Sequence, residues 1–125
     1  REQLLAKIQE LVDVGGIQVL LQGGHHPGLP FEWYLDMLRA IKSHFPRVHV
    51  HGFSPPEILF FSRRFEKRVE TVIGELQAAG LDTIPGGGAE ILADRVRRLV
   101  SPNKYRADDW LDVMRTAHRL GMRTT

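Results

Sequence analysis

The 125-residue chain has the length of one ordinary domain, with 42% hydrophobic and 26% charged residues and a formal net charge of +2. These values are typical of a globular protein, and 17 basic against 15 acidic residues give no support for a nucleic-acid partner. No apolar run reaches the roughly 18 residues of a membrane span, and no export signal is visible. We therefore expect a cytoplasmic protein with no membrane partner.

The first third of the chain predicts a helix, a strand and a second helix. Apolar residues at helical spacing predict a helix over 4–12 that ends at Gly15. The apolar run 17–22 is typical of a short strand. Pro30 opens the next helix, because the fixed φ of proline suits a first turn, and Pro46 closes it.

The middle of the chain repeats this order. The β-branched run 47–53 predicts a second strand, after which Ser54 can cap a helical region that extends to Gly80. We expect a break in that region near 65–68, and a left-handed cap at Gly80. The run 81–85 then predicts a third strand.

The last third predicts two more helices, over 89–100 and 107–121, joined by a turn at 101–103. Residues 122–125 begin a fourth strand. The basic residues of the earlier of these helices, which are Arg95, Arg97 and Arg98, are interpreted as a solvated helix face.

Strands that alternate with helices imply right-handed βαβ connections and a parallel sheet, and so an α/β fold. The 125 residues are about half of the roughly 250 of a complete (β/α) barrel. We therefore interpret the chain as one domain, an interior segment of a TIM-type (β/α) barrel with about four βα units, incomplete at both ends. A doubly wound parallel sheet is the second choice.

Ligands of parallel α/β folds bind at the carboxyl ends of the strands. In the first such loop, Gly23 and Gly24 either admit a ligand to the backbone or simply form a tight turn, and His26 is either a site residue or an ordinary loop residue. In the second strand, alternation directs His49, His51 and Phe53 to one face.

The two histidines of that face could bind a divalent metal or transfer protons. A pair falls short of the three protein ligands of a catalytic zinc site, and histidines hydrogen-bonded inside a barrel are the favoured interpretation.

Since the chain contains no cysteine, disulfides and thiolate-held metals are excluded within it.

The third loop, "PGGGAE", matches neither the phosphate P-loop nor the dinucleotide G-x-G-x-x-G motif. It places flexible backbone before a predicted helix N-terminus, which favours a negative or polar ligand group. Glu90 would lie in the first turn of that helix, where its charge either interacts with the helix dipole or bonds to ligand hydroxyls.

Ser54 and Ser101 precede prolines and are better explained as caps or turns than as nucleophiles.

Taken in order, "LLQGGHHPGLPFEWYLDMLRAIKSHFPRVHVHGFSPPEI", "AGLDTIPGGGAEILADRVRRLVSPNK" and "WLDVMRTAHRLGMRTT" carry a resemblance to a known family. The chain resembles the radical S-adenosylmethionine enzymes of the futalosine route to menaquinone, over almost all of 19–125. Within that group it looks most like dehypoxanthine futalosine cyclase. Aminofutalosine synthase and the F420 deazaflavin synthase are related.

This resemblance implies a barrel enzyme with S-adenosylmethionine and a 4Fe-4S cluster as cofactors, supplied with electrons by a donor such as flavodoxin or ferredoxin. A C-x-x-x-C-x-x-C loop would hold the cluster, and a 5′-deoxyadenosyl radical would start the cyclisation of a nucleoside substrate, dehypoxanthine futalosine. The resemblance implies a set of cofactor-binding residues, Gln22, Gly23, Gly24, Gly87, Gly88 and Glu90. It also implies a set that lines the substrate cavity, His26, His49, His51 and Ser54.

The missing cysteines are the main departure from this family. We therefore expect the 125-residue segment by itself to bind no cluster and to be inactive. Two interpretations from other classes stay open, a metal-dependent barrel hydrolase that uses His49 and His51, and a binding module that keeps a nucleoside site without chemistry. The oligomeric state is open as well.

Overall fold

Within residues 2–23 and 25–125, which the computed structural model describes, helices alternate with parallel strands. The helices are α1 (Glu2–Asp13), α2 (Phe31–His44), α3 (Pro55–Arg64), α4 (Val69–Ala79), α5 (Asp94–Val100) and α6 (Ala107–Arg119). The strands are β1 (Gln18–Leu21), β2 (His49–Gly52), β3 (Thr83–Ile84) and β4 (Arg123–Thr124).

The four strands form one parallel sheet in the order β1-β2-β3-β4. In register, Gln18 pairs with His49, His51 with Thr83, and Thr83 with Arg123. Every strand pairs with the next one along the chain, and the order never reverses among these four. These four strands therefore contain no switch point of a doubly wound sheet. The predicted parallel α/β class is confirmed.

Proline and glycine define the helix ends as the sequence predicts. Pro30 stands just before α2 with φ −71°, and α4 ends at Gly80 with a left-handed φ of 118°. The expected break in the middle helical region is also present, since α3 ends at Arg64 and α4 begins at Val69. No helix of the described residues is long and apolar enough to cross a membrane.

The hydrophobic core lies between the sheet and the helices. Val50 and Ile84 are fully buried on the helix-covered face of the sheet, where they join Leu38, Ile73 and Val113 of the helices. The other face carries Leu20, which is 54% exposed, beside the two histidines of β2.

Phe53 does not share a face with the histidines, so that prediction is wrong. Its φ of 56° breaks the alternation directly after β2 ends at Gly52. The ring is buried and packs against Tyr34 and Phe61, at centroid distances of 6.1 and 5.6 Å. Aromatic packing between α2 and α3 therefore determines where this side chain lies.

The helix predicted over 89–100 begins only at Asp94. Gly88 and Glu90 have φ values of 79° and 50°, which an α-helix cannot include. The residues 85–92, called the glycine loop below, therefore lie outside any helix. Glu90 is not in a first helical turn, and the expected helix N-terminus for an anionic ligand is not formed by this loop.

Candidate functional site

The loops that follow β1, β2 and β3 meet at one end of the sheet. A Cβ placed on Gly87 would lie 3.2 Å from Ser54 Cβ and 3.7 Å from Gln22 Nε2. Each of these three residues follows a different strand. They lie close together because the carboxyl ends of parallel strands share one edge of a sheet. The structure thus brings together Gln22, Ser54 and Gly87, which the sequence assigned to the ligand-binding end.

Glu57 joins two of these loops, and sequence reasoning did not identify it as a site residue. Its carboxylate accepts hydrogen bonds from the Ser54 backbone N–H at 2.9 Å, the Ser54 hydroxyl at 2.7 Å and the Gly23 N–H at 3.2 Å. The residue is only 7% exposed. The S-x-x-E spacing of a capping box was the available signal, and it explains the contacts to Ser54 but not the contact across to Gly23.

The Gly23 N–H therefore donates to Glu57, and the buried carboxylate adds negative charge beside this loop. A Cβ on Gly23 would meet only Glu57 Oε1, at 3.9 Å, so the position is open to a ligand. A buried carboxylate beside an open backbone position suits a cationic ligand group that donates hydrogen bonds. Gly24 lies outside the described residues.

The three glycines after β3 have a packing role in addition to any contact with a ligand. A Cβ on Gly86 would lie 2.3 Å from the carbonyl oxygen of Thr125, and one on Gly88 would lie 2.5 Å from Pro56 Cγ. Together with the contact between Gly87 and Ser54, these distances show that the loop passes closely between the end of β4 and the start of α3. Side chains at these positions would push the loop out of place.

Arg97 organises the glycine loop from inside the protein, and its interpretation as part of a solvated helix face is wrong. It is 2% exposed. Its guanidinium donates to the carbonyl of Tyr105 at 2.6 Å, and three loop carbonyls accept from the same group: Gly88 at 2.9 Å, Ile91 at 3.1 Å, and Ala89. Only a five-donor planar group can serve four carbonyls in this way.

Glu90 points away from this buried arrangement. Its carboxylate is exposed and pairs with the Lys104 ammonium. The hydrogen bond and the charge of Lys104 lower the pKa of Glu90. Its predicted contact with ligand hydroxyls is not tested by the structure and stays a prediction.

The histidines of β2 converge on a single hydroxyl. His49 Nε2 lies 2.7 Å and His51 Nδ1 lies 2.6 Å from Thr83 Oγ1. Since a hydroxyl has one proton, at least one of the two rings donates to it. A cavity of about 320 Å³ lies on this face and is bordered by both rings and by Arg123 and Thr125. This arrangement agrees with the favoured interpretation of hydrogen-bonded histidines.

No group of three or more potential metal ligands occurs in the part of the chain that the structure describes. His26, the remaining histidine among the predicted substrate residues, is exposed, and its Nδ1 accepts a hydrogen bond from the Gly28 N–H at 3.1 Å. This hydrogen bond stabilises the turn that contains His26 and Gly28. A contact between His26 and the substrate stays a prediction.

A second cavity of about 230 Å³ opens between β1, α2 and α3 beside Glu57. It is bordered mainly by apolar side chains, including Trp33 and Met37. The buried hydroxyl of Tyr34 lies in this region without a hydrogen-bond partner among the described residues. Burial, and then the charge of Glu57, raise the pKa of the Tyr34 hydroxyl.

Comparison with known proteins gives the class to which this fold and site belong. The chain matches the Radical SAM superfamily over residues 1–125 and is therefore a member of that superfamily. The resemblance noted in the sequence is confirmed.

Particular relatives carry several activities. The chain is 44% identical over 124 residues to the 5-amino-6-(D-ribitylamino)uracil--L-tyrosine 4-hydroxyphenyl transferase of Methanopyrus kandleri. It is likewise 44% identical over 124 residues to the cyclic dehypoxanthine futalosine synthase of Halalkalibacterium halodurans. Both alignments cover 99% of this chain and 34% of the relative. The aminodeoxyfutalosine synthase of Thermus thermophilus is 43% identical over 123 residues, which is 98% of this chain and 33% of the relative.

The chain thus spans about a third of the length of the curated relatives it matches. Sequence identity does not separate the transferase from the futalosine synthase, since both share 44% of their aligned residues with this chain.

Proposed function

We propose that the full-length protein is a radical S-adenosylmethionine enzyme that cyclises dehypoxanthine futalosine during menaquinone biosynthesis. The observation that carries this proposal is the meeting of Gln22, Ser54 and Gly87 at the ends of three parallel strands, in a chain that matches the Radical SAM superfamily throughout. A cyclic dehypoxanthine futalosine synthase is among its relatives at 44% identity.

The four strands are proposed to be part of a closed (β/α) barrel. Their unreversed order and the exposure of Leu20 on the face opposite the helices support this, because a barrel fills that face with interior side chains. His49, His51 and Thr83 would then line the interior, where the substrate is expected to lie, with Ser54 at its rim.

S-adenosylmethionine fits the donor set of the loop after β1. Its ammonium and sulfonium are both positive, and the buried Glu57 carboxylate lies beside the open position at Gly23. Gln22 and Gly23 would hold the methionine end of the cofactor, and Gly87 and Gly88 would border its other end. When bound, the cluster and the cofactor supply hydrogen-atom abstraction from the substrate ribose.

Thiolate ligands of a 4Fe-4S cluster cannot come from these 125 residues, because they contain no cysteine. The cluster is therefore proposed to be held by another part of the full-length protein, and to receive electrons from a donor such as flavodoxin or ferredoxin.

A reaction of the 4-hydroxyphenyl transferase type is the second candidate. The Methanopyrus kandleri relative favours it, because its identity with this chain equals that of the futalosine synthase. The two candidates share the cofactor and differ in the substrates.

The experiment is anaerobic reconstitution of the full-length protein with iron and sulfide, followed by assay with a strong reductant and S-adenosylmethionine. One sample receives dehypoxanthine futalosine, and the other receives 5-amino-6-(D-ribitylamino)uracil and tyrosine. Formation of cyclic dehypoxanthine futalosine supports the first candidate, and a hydroxyphenyl adduct supports the second. If S-adenosylmethionine is not cleaved to 5′-deoxyadenosine in either sample, both are wrong. The 125-residue chain alone is the control, and we expect it to cleave nothing.

A further inference from the structure

We propose that Arg97 is a positioning residue of the ligand-binding end, which fixes the glycine loop through its backbone and does not itself contact a ligand. The inference rests on the proposed function for the identity of the ligand, S-adenosylmethionine or the nucleoside. The positioning role itself rests on contacts within the protein.

The contacts of Arg97 are concentrated on the segment that has no regular structure. Gly88, Ala89 and Ile91 each offer a carbonyl to the guanidinium, and none of them lies in a helix or strand. Tyr105, the fourth acceptor, lies between α5 and α6. A single buried side chain therefore ties the loop to the connection between the two helices that follow it.

A second helix secures the same loop one residue earlier. The Trp110 indole of α6 donates to the Gly87 carbonyl at 3.0 Å. Gly87 is the loop residue that lies against Ser54 and Gln22, and Gly88, next to it, is held by Arg97 at 2.9 Å. Trp110 and Arg97 therefore hold adjacent residues of the part of the loop that borders the site.

The loop needs this support because its backbone conformation is unfavourable. Glu90 has a left-handed φ of 50°, which non-glycine residues rarely adopt without compensation. The Glu90–Lys104 ion pair is exposed, and exposed pairs contribute little to stability. The buried guanidinium is the contact that can hold carbonyls on both sides of Glu90, at Ala89 and Ile91.

The test compares Arg97→Met, which keeps much of the volume and removes every donor, with Arg97→Lys, which keeps the charge and one donor group. Arg95→Met is the matched control, since Arg95 is an exposed residue of the same helix. All variants are made in the full-length protein. Three quantities are measured: the S-adenosylmethionine dissociation constant by calorimetry, amide hydrogen exchange of residues 86–91, and the melting temperature.

We expect Arg97→Met to weaken S-adenosylmethionine binding by at least about tenfold, a change that corresponds to 1.4 kcal/mol. Exchange in 86–91 should rise while exchange in β1 and β2 stays at the wild-type level. Arg97→Lys should bind with intermediate affinity, and Arg95→Met should match the wild type. Millimolar guanidinium ion, but not urea, should restore part of the affinity of Arg97→Met by filling the vacated position.

Unchanged exchange in 86–91 in both Arg97 variants would overturn the proposal. So would a uniform rise in exchange throughout the chain without rescue by guanidinium, because that result describes general destabilisation. If Arg97→Met does not fold, the exchange and binding of Arg97→Lys decide. If the wild-type protein does not bind S-adenosylmethionine, the proposed function fails, whereas the exchange of the loop still reports on Arg97.

Discussion

Replacement of Glu57 by alanine tests whether one carboxylate links the loops after β1 and β2. The substitution removes the acceptor of three hydrogen bonds and leaves the N–H of Gly23, the N–H of Ser54 and the Ser54 hydroxyl without it. It also removes the glutamate half of the α3 cap. We expect a less stable protein in which the loop that contains Gly23 is no longer held.

The magnitude follows from the individual contacts. Loss of a helix cap costs about 1 kcal/mol. Leaving a buried donor unpaired costs about 1–3 kcal/mol, and the exposed Gly23 N–H can recover a bond to water. Since these contributions are not additive, we expect the free energy of unfolding to fall by about 2–4 kcal/mol. Glu57→Gln keeps the volume and one acceptor oxygen, so its loss should be smaller.

Urea unfolding of the full-length protein, followed by circular dichroism, measures the change. Glu32→Ala is the matched control, because Glu32 also lies in the first turn of a helix but is exposed and pairs with Arg39 at the surface. Its effect should stay within about 0.5 kcal/mol. A Glu57→Ala variant as stable as Glu32→Ala, with wild-type affinity for S-adenosylmethionine, would refute the reasoning.

Two further predictions concern packing and pH. Gly86→Ala should destabilise the protein, because its Cβ would lie 2.3 Å from the Thr125 carbonyl, whereas Gly74→Ala in α4, where nothing lies within 4 Å, should stabilise it by about 0.5–1 kcal/mol. Thermal unfolding of both variants checks this, and a destabilising Gly74→Ala would contradict it. Burial acts to raise the pKa of Asp82, but the hydrogen bond and charge of Lys42, with a backbone N–H, outweigh burial and lower that pKa. Its contribution to stability is then complete above pH about 4 and is lost as the pH falls through the lowered value. Asp82→Asn should therefore reduce the acid dependence of urea midpoints, and an unchanged dependence would show that another group is responsible.

The elements of the fold were largely predictable because their signals are local. A proline before α2, a glycine after α4 and a β-branched run at β2 each act through the backbone conformation of a few neighbouring residues. Alternation along β2 likewise placed His49 and His51 on one face, where both reach Thr83. The partner hydroxyl itself lies on another strand and was not predictable from the spacing.

The residues whose positions or roles were not predicted share a physical cause, which is contact between segments that are distant in sequence. Arg97 lies in the same run of basic residues as the exposed Arg95 and Arg98, and the sequence does not indicate which of the three is buried. The burial of Arg97 depends on the position of the glycine loop. Phe53 continues the alternating pattern of β2 in the sequence, but in the structure its ring packs against aromatic residues of α2 and α3. Glu57 shows a cap signal, and its bond to Gly23 depends on the pairing of β1 with β2.

The unreversed strand order also bears on how this protein can be made by a ribosome. Each strand finds its partner in the strand synthesised just before it, with one or two helices between them. Since the entropic cost of closing such a connection grows only slowly with its length, β2 can add to β1, and β3 to β2, in the order in which they leave the ribosome. No strand of the described sheet has to be inserted later between two that have already paired. Each new strand can therefore pair with the edge strand that was synthesised immediately before it.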